Sequence, residues 1–221
     1  MCLMITLRDL SIQEYSELEE VKRTSLLLNK ILLFVHIEKG EAVLQSVRLA
    51  SAFFGKGQFI AEETDFDGKV ITLRRTLTKG YYQPPSKEQR TGENDWEKVP
   101  RSERQLSEAQ TQSWQVIIAE ENGKITMDIE ITGTAYVPVS LEMSFREGGT
   151  FAGVAPDNQL DNSYFLESGT GHYKVGNDVI NFGSGAVNHK WAELRGMLPK
   201  QKGNSVYITG YTPFKHVIEL S

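Results

Sequence analysis

The chain has 221 residues, of which 39% are hydrophobic and 24% are charged. This length and composition are those of a folded globular protein and exclude the disordered and membrane-embedded classes. The formal net charge of -5 at pH 7 provides no basic field, so we expect neither nucleic acid nor a membrane as partner. The single cysteine, Cys2, can form neither an internal disulfide nor a thiolate zinc site.

The N-terminal part predicts a short amphipathic helix. Ser11-Ile12-Gln13-Glu14 matches a capping box, and apolar residues then recur near helical spacing. The apolar stretch from Met1 to Leu7 is too short for a secretory signal. We therefore expect a helical segment over residues 1–30, and a protein that is cytoplasmic by default or exported as a fragment of a larger secreted protein.

From Ile31 onward the pattern becomes typical of β-strands. Ile31 to Glu38 and Ala42 to Leu49 flank the turn-forming pair Lys39-Gly40, which predicts a hairpin. A helix through Glu41 to Phe54 is the competing interpretation, because the apolar residues there also fit a helical period.

Two further hairpins are predicted at Asp67-Gly68 and Asn122-Gly123, because both central positions of a type I′ turn need positive φ. The first turn joins residues 59–66 to 69–77. The second joins two strands whose apolar residues alternate with polar ones: Trp114, Val116 and Ile118, then Ile125, Met127, Ile129 and Ile131. Between these hairpins, residues 83–105 are rich in proline and charge, so we expect a long loop or an interdomain linker.

The segment from Val137 to Phe145 predicts another strand, with Ser140, Glu142 and Ser144 on its polar face. Glycines then separate short apolar runs to the end of the chain, as in a β-meander or β-sandwich. The predicted fold is therefore mainly β: an antiparallel β-sandwich of the supersandwich kind over residues 31–221, preceded by the short helix.

The candidate ligand-binding residues are imidazole, phenol, indole and guanidinium groups in the C-terminal part of the chain: His172, Tyr173, His189, Trp191 and Arg195. Aromatic faces pack on sugar rings, while charged groups bond hydroxyls or carboxylates. The alternative is structural, with Trp191 in the core, Tyr173 in cross-strand packing and Arg195 in an ion pair.

Other candidate sites receive weaker support. The four histidines show no metal-ligand spacing, and Gly169-Thr170-Gly171 lacks the full dinucleotide fingerprint, so we expect no metal or cofactor. Glu130 and Glu142 could each act as an acid or base, but a solvated carboxylate is the commoner use. Tyr207 and Tyr211 predict either an aromatic ledge near a turn or core packing.

Several of these segments also resemble a known family. Val137 to Glu142, Phe145 to Gly149, Gly171 to Gly176 and Ser205 to Phe214 are similar to the C-terminal β-sandwich regions of bacterial heparinase II/III-type polysaccharide lyases. In that family an α-helical toroid precedes the sandwich and supplies much of the catalytic cleft. This chain has no room for a toroid, so the resemblance implies an accessory or truncated domain and carries over no catalytic residue.

Three functions follow as expectations. The first is a non-catalytic β-sandwich that supports or binds acidic polysaccharide. The second is a lyase or other sugar-modifying enzyme, with Tyr173 or His189 as base and Arg195 neutralising a uronate carboxylate. The third is a structural or oligomerisation domain that docks another chain or a second copy through exposed strand edges.

Overall fold

The computed structural model describes residues 35–86 and 101–221, and 60% of it is strand. In chain order the strands are β1 (Ile37–Lys39), β2 (Ala42–Ser51), β3 (Gly57–Gln58), β4 (Glu63–Phe66), β5 (Val70–Tyr82), β6 (Leu106–Glu121), β7 (Lys124–Gly133), β8 (Pro138–Phe145), β9 (Thr150–Ala152), β10 (Ala155–Pro156), β11 (Ser163–Phe165), β12 (Thr170–Val175), β13 (Asp178–Gly183), β14 (Asn204–Tyr211) and β15 (Phe214–Leu220), with a 3-10 turn at Arg101–Glu103. The predicted N-terminal helix lies outside the described residues.

The strands form two packed sheets, as the β-sandwich prediction requires. The small sheet has the order β1-β2-β8-β14-β11-β10, with β3 also paired to β2. The large sheet has the order β4-β5-β6-β7-β15-β13-β12-β9. The structure therefore confirms a mainly β fold built from two packed sheets.

One strand pair departs from the antiparallel prediction. β11 runs parallel to β14, with Tyr164 opposite Val206. The chain between them crosses to the large sheet as β12 and β13 and returns to the small sheet in the same direction. A parallel pair therefore forms without a crossover helix.

The core lies between the sheets and is made by the alternating apolar residues. Leu141 and Met143 of the small sheet and Val116, Ile129 and Ile218 of the large sheet are fully buried. Their opposite neighbours along each strand point away from this core, as period-two alternation requires.

The predicted hairpins form, but two of the three turns are shifted by one residue. In the first hairpin Lys39 pairs with Ala42, so the central residues are Gly40 and Glu41; residues 31–34 of its first predicted strand lie outside the described residues. Asn122 and Gly123 have φ of 53° and 78°, and Glu121 pairs with Lys124, as expected for type I′. In the other shifted hairpin the Asp67 amide donates to the Val70 carbonyl, so Gly68, with φ 95°, is the first central residue. That pattern is type II′ rather than the predicted type I′ turn at Asp67-Gly68.

Two other predictions concern β2 and the segment at residues 83–105. Ala42–Ser51 is a strand paired with β1, so the competing helix through Glu41 to Phe54 is wrong. The strands on either side of residues 83–105, β5 and β6, pair with each other as far as Tyr82 and Leu106. This segment therefore connects neighbouring strands of one sheet.

The hairpin of β5 and β6 extends beyond the rest of the large sheet. Pairing of β6 with β7 ends at Gln112, and pairing of β5 with β4 ends at Arg74. Residues 76–82 and 106–111 thus form a two-stranded ribbon, which we call the arm. Four large apolar residues of the arm and of the adjacent turn are exposed: Phe54, Tyr81, Tyr82 and Leu106.

The outer face of the small sheet is covered by residues 185–203, which we call the covering segment. Ser140 Oγ donates to the Ala192 carbonyl at 2.9 Å, and Arg48 Nη1 donates to the Pro199 carbonyl at 3.0 Å. Glu142 beneath this segment is completely buried. Its prediction as a solvated carboxylate is wrong, because the cover comes from residues distant in sequence.

Candidate functional site

The structure does not bring the five predicted ligand-binding residues into one cluster. His172 and Tyr173 lie on β12 of the large sheet, whereas His189, Trp191 and Arg195 lie in the covering segment on the outer face of the small sheet. The five residues therefore belong to two separate parts of the surface and core.

Tyr173 is a core residue. Its side chain is fully buried and packs against Phe145 and Phe151, with ring centroids 4.9 and 4.8 Å away. The phenol donates a hydrogen bond to the Arg146 carbonyl and accepts one from the Gly149 amide. Burial raises the pKa of this phenol. This is the arrangement expected of a packing residue, and it leaves no free phenol for a substrate.

His172 points to the other side of β12 and is exposed. Its Nδ1 lies 2.7 Å from Asn181 Oδ1, so Nδ1 carries the proton and donates it to that amide oxygen. The pair joins β12 to β13 on the surface of the large sheet.

His189 is held in one tautomer by its surroundings. Its Nε2 lies 3.1 Å from the Val139 carbonyl and 3.0 Å from the Gly210 carbonyl, so Nε2 carries the proton. Its Nδ1 accepts the Trp191 amide at 3.3 Å. Burial lowers the pKa of His189, while its bonds to Gly210 and Val139 oppose that effect. The ring is therefore neutral, and neither nitrogen is free to take a proton from a substrate.

An exposed aromatic ledge is built on His189. Trp191 is 54% exposed, and its ring lies 5.1 Å from the His189 ring at an angle of 30°. Tyr211, which is half-buried, also contacts His189, with ring centroids 5.1 Å apart and an angle of 65°. We call Trp191, His189 and Tyr211 the ledge.

Arg195 lies further along the covering segment and is exposed. It packs against the turn after β2, where its Nε is 3.5 Å from the position of a Cβ at Gly55. The next residue, Gly196, has φ 87°, and a Cβ there would lie 2.3 Å from the Gly55 carbonyl atoms. Within residues 35–86 and 101–221 the Arg195 guanidinium has no hydrogen-bond or ion-pair partner.

Glu142 and Arg48 form a buried ion pair under the covering segment. Arg48 Nε donates to Glu142 Oε2 at 2.9 Å, and Arg48 Nη2 bonds the same oxygen. The second carboxylate oxygen accepts Ser205 Oγ at 2.8 Å and Tyr207 OH at 3.3 Å. Burial first, and then the Glu142 charge, raise the pKa of Tyr207. With its oxygens occupied in this way, Glu142 is a structural anchor.

The ledge is part of a larger concentration of exposed aromatic residues. The Tyr136 amide donates to the Thr212 carbonyl at 2.7 Å, which places Tyr136, 86% exposed, beside Tyr211. Phe54 and Tyr81 contact each other at 5.4 Å on the neighbouring turn and arm. We call this end of the sandwich, with Phe54, Tyr81, Tyr136, Trp191 and Tyr211, the aromatic end. In the described part of the chain Phe66 is the large exposed aromatic residue that lies at the opposite end.

The sequence analysis singled out Trp191 and His189 and considered Tyr211, but it did not single out the other exposed aromatic residues of this end. Phe54 and Tyr136 lie in turns with φ of 49° and 60°. Bulky residues are rare at positive φ, and such positions are often functional. The available signal was an aromatic residue placed between two predicted strands, where core packing does not require one.

A depression of about 320 Å³ lies elsewhere, on the outer face of the large sheet. Its lining includes Arg74, Gln115 and Glu130, which are neighbours across β5, β6 and β7. Arg74 donates to Gln115 Oε1 at 3.1 Å and lies 3.4 Å from Asp65. Glu130 is half-buried. Because the lining contains both basic and acidic side chains, this surface is a polar face of mixed charge.

Comparison with protein-family models, curated proteins and solved structures found no match to this chain. Among residues 35–86 and 101–221, no three histidine, cysteine or acidic side chains are grouped to hold a metal ion. The same residues include no helix with the length and apolar character needed to cross a bilayer.

Proposed function

We propose that the protein binds acidic polysaccharide through the aromatic end without cleaving it. The observation that carries this proposal is the ledge, where a half-exposed indole packs on His189, and His189 is in turn contacted by Tyr211. A rigid, half-exposed aromatic face packs on the C–H surface of a sugar ring at little entropic cost.

The charge near the ledge supports an acidic ligand. Arg195 is exposed on the same covering segment and has no partner among the described side chains. A guanidinium can bond a carboxylate through two parallel N–H groups. The net charge of the whole chain is negative, so binding depends on this local cation and not on a general basic surface.

The environments of the two proposed bases support a non-catalytic role. The Tyr173 phenol is buried in the core and bonded to the backbone, and His189 has both nitrogens engaged. A general base must reach the proton that it abstracts. Neither residue meets this requirement, which disfavours the lyase alternative that uses them.

The binding test is calorimetric titration with polygalacturonate and alginate, followed in parallel by tryptophan fluorescence. We expect saturable binding to at least one of the two, and about tenfold weaker binding by Trp191→Ala, since 1.4 kcal/mol corresponds to a factor of ten. The matched control is Phe66→Ala, which removes a similarly exposed aromatic residue from the opposite end. Absence of binding to both polymers would overturn the proposal.

The lyase alternative has its own readout. A lyase produces an unsaturated uronate, whose ultraviolet absorbance grows with time. We expect a flat trace with purified protein and either polymer. A steady increase in absorbance that disappears in Tyr173→Phe would show that the protein is a lyase and would overturn the binding proposal.

A further inference from the structure

The aromatic end contains a second aromatic pair besides the ledge. Phe54 is 37% exposed and Tyr81 is 62% exposed, and their ring centroids are 5.4 Å apart. Phe53, the neighbour of Phe54, already fills the core, since it is 2% exposed and contacts Trp114 edge-on at 6.4 Å. Phe54 also contacts Phe53 edge-on, with ring centroids 5.1 Å apart. Packing on the core therefore accounts for one side of Phe54 and leaves the rest of its ring, together with Tyr81, open to solvent.

The backbone around Phe54 holds its side chain outward. Phe54 and Gly55 have φ of 49° and 65°, and the Lys56 amide closes the turn on the Phe53 carbonyl at 3.0 Å. These are the dihedral signs of a type I′ turn, which glycine or asparagine normally occupies. A phenylalanine at this position is energetically unfavourable, and such strain is retained mainly at functional positions.

The second pair and the ledge lie beside strand ends that are two strand spacings apart. The Ala52 amide donates to the Pro138 carbonyl at 2.9 Å, and Pro138 is opposite Tyr211. The ends of β2, β8 and β14 are thus adjacent, and two strand spacings put β2 and β14 about 10 Å apart. Arg195, packed on Gly55, lies on the β2 side of this interval.

We infer that the aromatic end binds an internal stretch of an acidic polysaccharide chain. The ledge and the Phe54–Tyr81 pair are two stacking platforms, and Arg195 bonds a carboxylate between them. This inference rests on the proposed function and adds that the ligand is a chain of several sugar units. A single sugar unit contacts one platform, so it cannot gain the affinity of both.

Charge distinguishes this ligand from a second copy of the protein. Lys56, Lys79 and Arg195 are exposed around the second pair and have no ion-pair partner among the described residues, whereas Glu108 is the exposed carboxylate of the arm. A two-fold contact through this end would bring both copies' sets of three cations into one interface, where like charges repel. A polyanionic chain is attracted to the same three groups.

The experiment is calorimetric titration with oligogalacturonates of increasing length, from the dimer to the octamer, at constant salt. We expect affinity to rise at least tenfold over this series. Tyr81→Ala removes one platform without removing a charge, so it should abolish most of that rise with length. Trp191→Ala should weaken every length, and Phe66→Ala should weaken none.

The possible failures are distinguishable. If Trp191→Ala weakens binding but Tyr81→Ala does not at any length, the two-platform inference is overturned and the proposed function stands. If no oligomer binds, both are overturned. If Tyr81→Ala dissociates a dimer in sedimentation velocity with unchanged octamer affinity, the second pair is a protein interface and the inference is overturned. Circular dichroism of each variant confirms that the fold is retained.

Discussion

Glu142 shows how a residue on the polar face of a strand becomes part of the interior. It is fully buried, and Arg48, at 3% exposure, contacts it while also bonding the Pro199 carbonyl of the covering segment. Burying two charges is expensive, so such a pair is retained only where each partner is satisfied. Here the pair fixes the covering segment, and with it the ledge, to the small sheet.

Replacing Glu142 with glutamine should destabilise the protein strongly. The change keeps the shape of the side chain but leaves the Arg48 charge buried without a counterion, which typically costs about 3 kcal/mol or more. Urea unfolding measures this loss. Glu130→Gln is the matched control, because its carboxylate is half-buried on the polar face of β7 and should cost about 0.5 kcal/mol or less. Similar losses in the two variants would show that the ion pair is not an anchor.

His189 should make stability depend on pH. Because burial lowers its pKa in the folded state, the folded protein resists protonation at pH values where the unfolded chain, with a pKa of about 6.5, accepts a proton. Stability is therefore complete above pH 7 and is lost as the pH falls below about 6.5 towards the folded pKa. Unfolding free energies at pH 7.5 and 5.5 test this. The His189→Gln variant should lose less stability than the unmodified protein between these two pH values. An equal loss in both proteins would exclude His189 as the cause.

At the scale of elements, the glycines at the two ends of β7 have different roles. Gly123 forms the type I′ turn with φ 78° and open space around it, whereas a Cβ at Gly133 would lie 2.1 Å from the Thr111 carbonyl oxygen. Gly133 is thus required by close contact with β6, at the base of the arm. The positive φ of the turn is by itself enough to explain a glycine at position 123.

The two alanine variants should differ accordingly. Gly123→Ala introduces only an unfavourable positive φ, which costs about 1 kcal/mol. Gly133→Ala adds overpacking against β6, so we expect a total of about 3 kcal/mol. Thermal and denaturant unfolding give both values. A smaller loss for Gly133→Ala than for Gly123→Ala would contradict the close approach seen at Thr111.

Local sequence patterns predicted the elements better than the site. Alternation around Trp114 and Ile129 depends on neighbours within one hairpin, so β6, β7 and the Asn122-Gly123 turn were predictable. The segment that covers Glu142 is residues 185–203, and no pattern in the sequence around Glu142 predicts this contact. For the same reason Tyr173 and His189, close in sequence, were predicted together, although Tyr173 lies in the large sheet and His189 in the segment that covers the small sheet.

At the scale of the whole molecule, the two sheets differ in how their outer faces are used. The small sheet is covered on its outer face, so β8 is enclosed by the core, the covering segment and a strand on either side. The large sheet keeps a polar outer face and extends the arm into solvent. The turns of both sheets meet at the aromatic end, where an irregular backbone can present side chains that strands cannot.

Hydrogen exchange should reveal this difference directly. Amides of β8 and β14 can exchange only when the core and covering segment both open, whereas arm amides open locally because a two-stranded ribbon is marginal in water. We expect arm residues 106–111 to exchange about a thousandfold faster than residues 138–145. Residues 114–118 provide an internal control, since they belong to the same strand as the arm but pair on both sides. Equal protection along the whole of β6 would mean that the arm is stabilised by contacts beyond its own two strands.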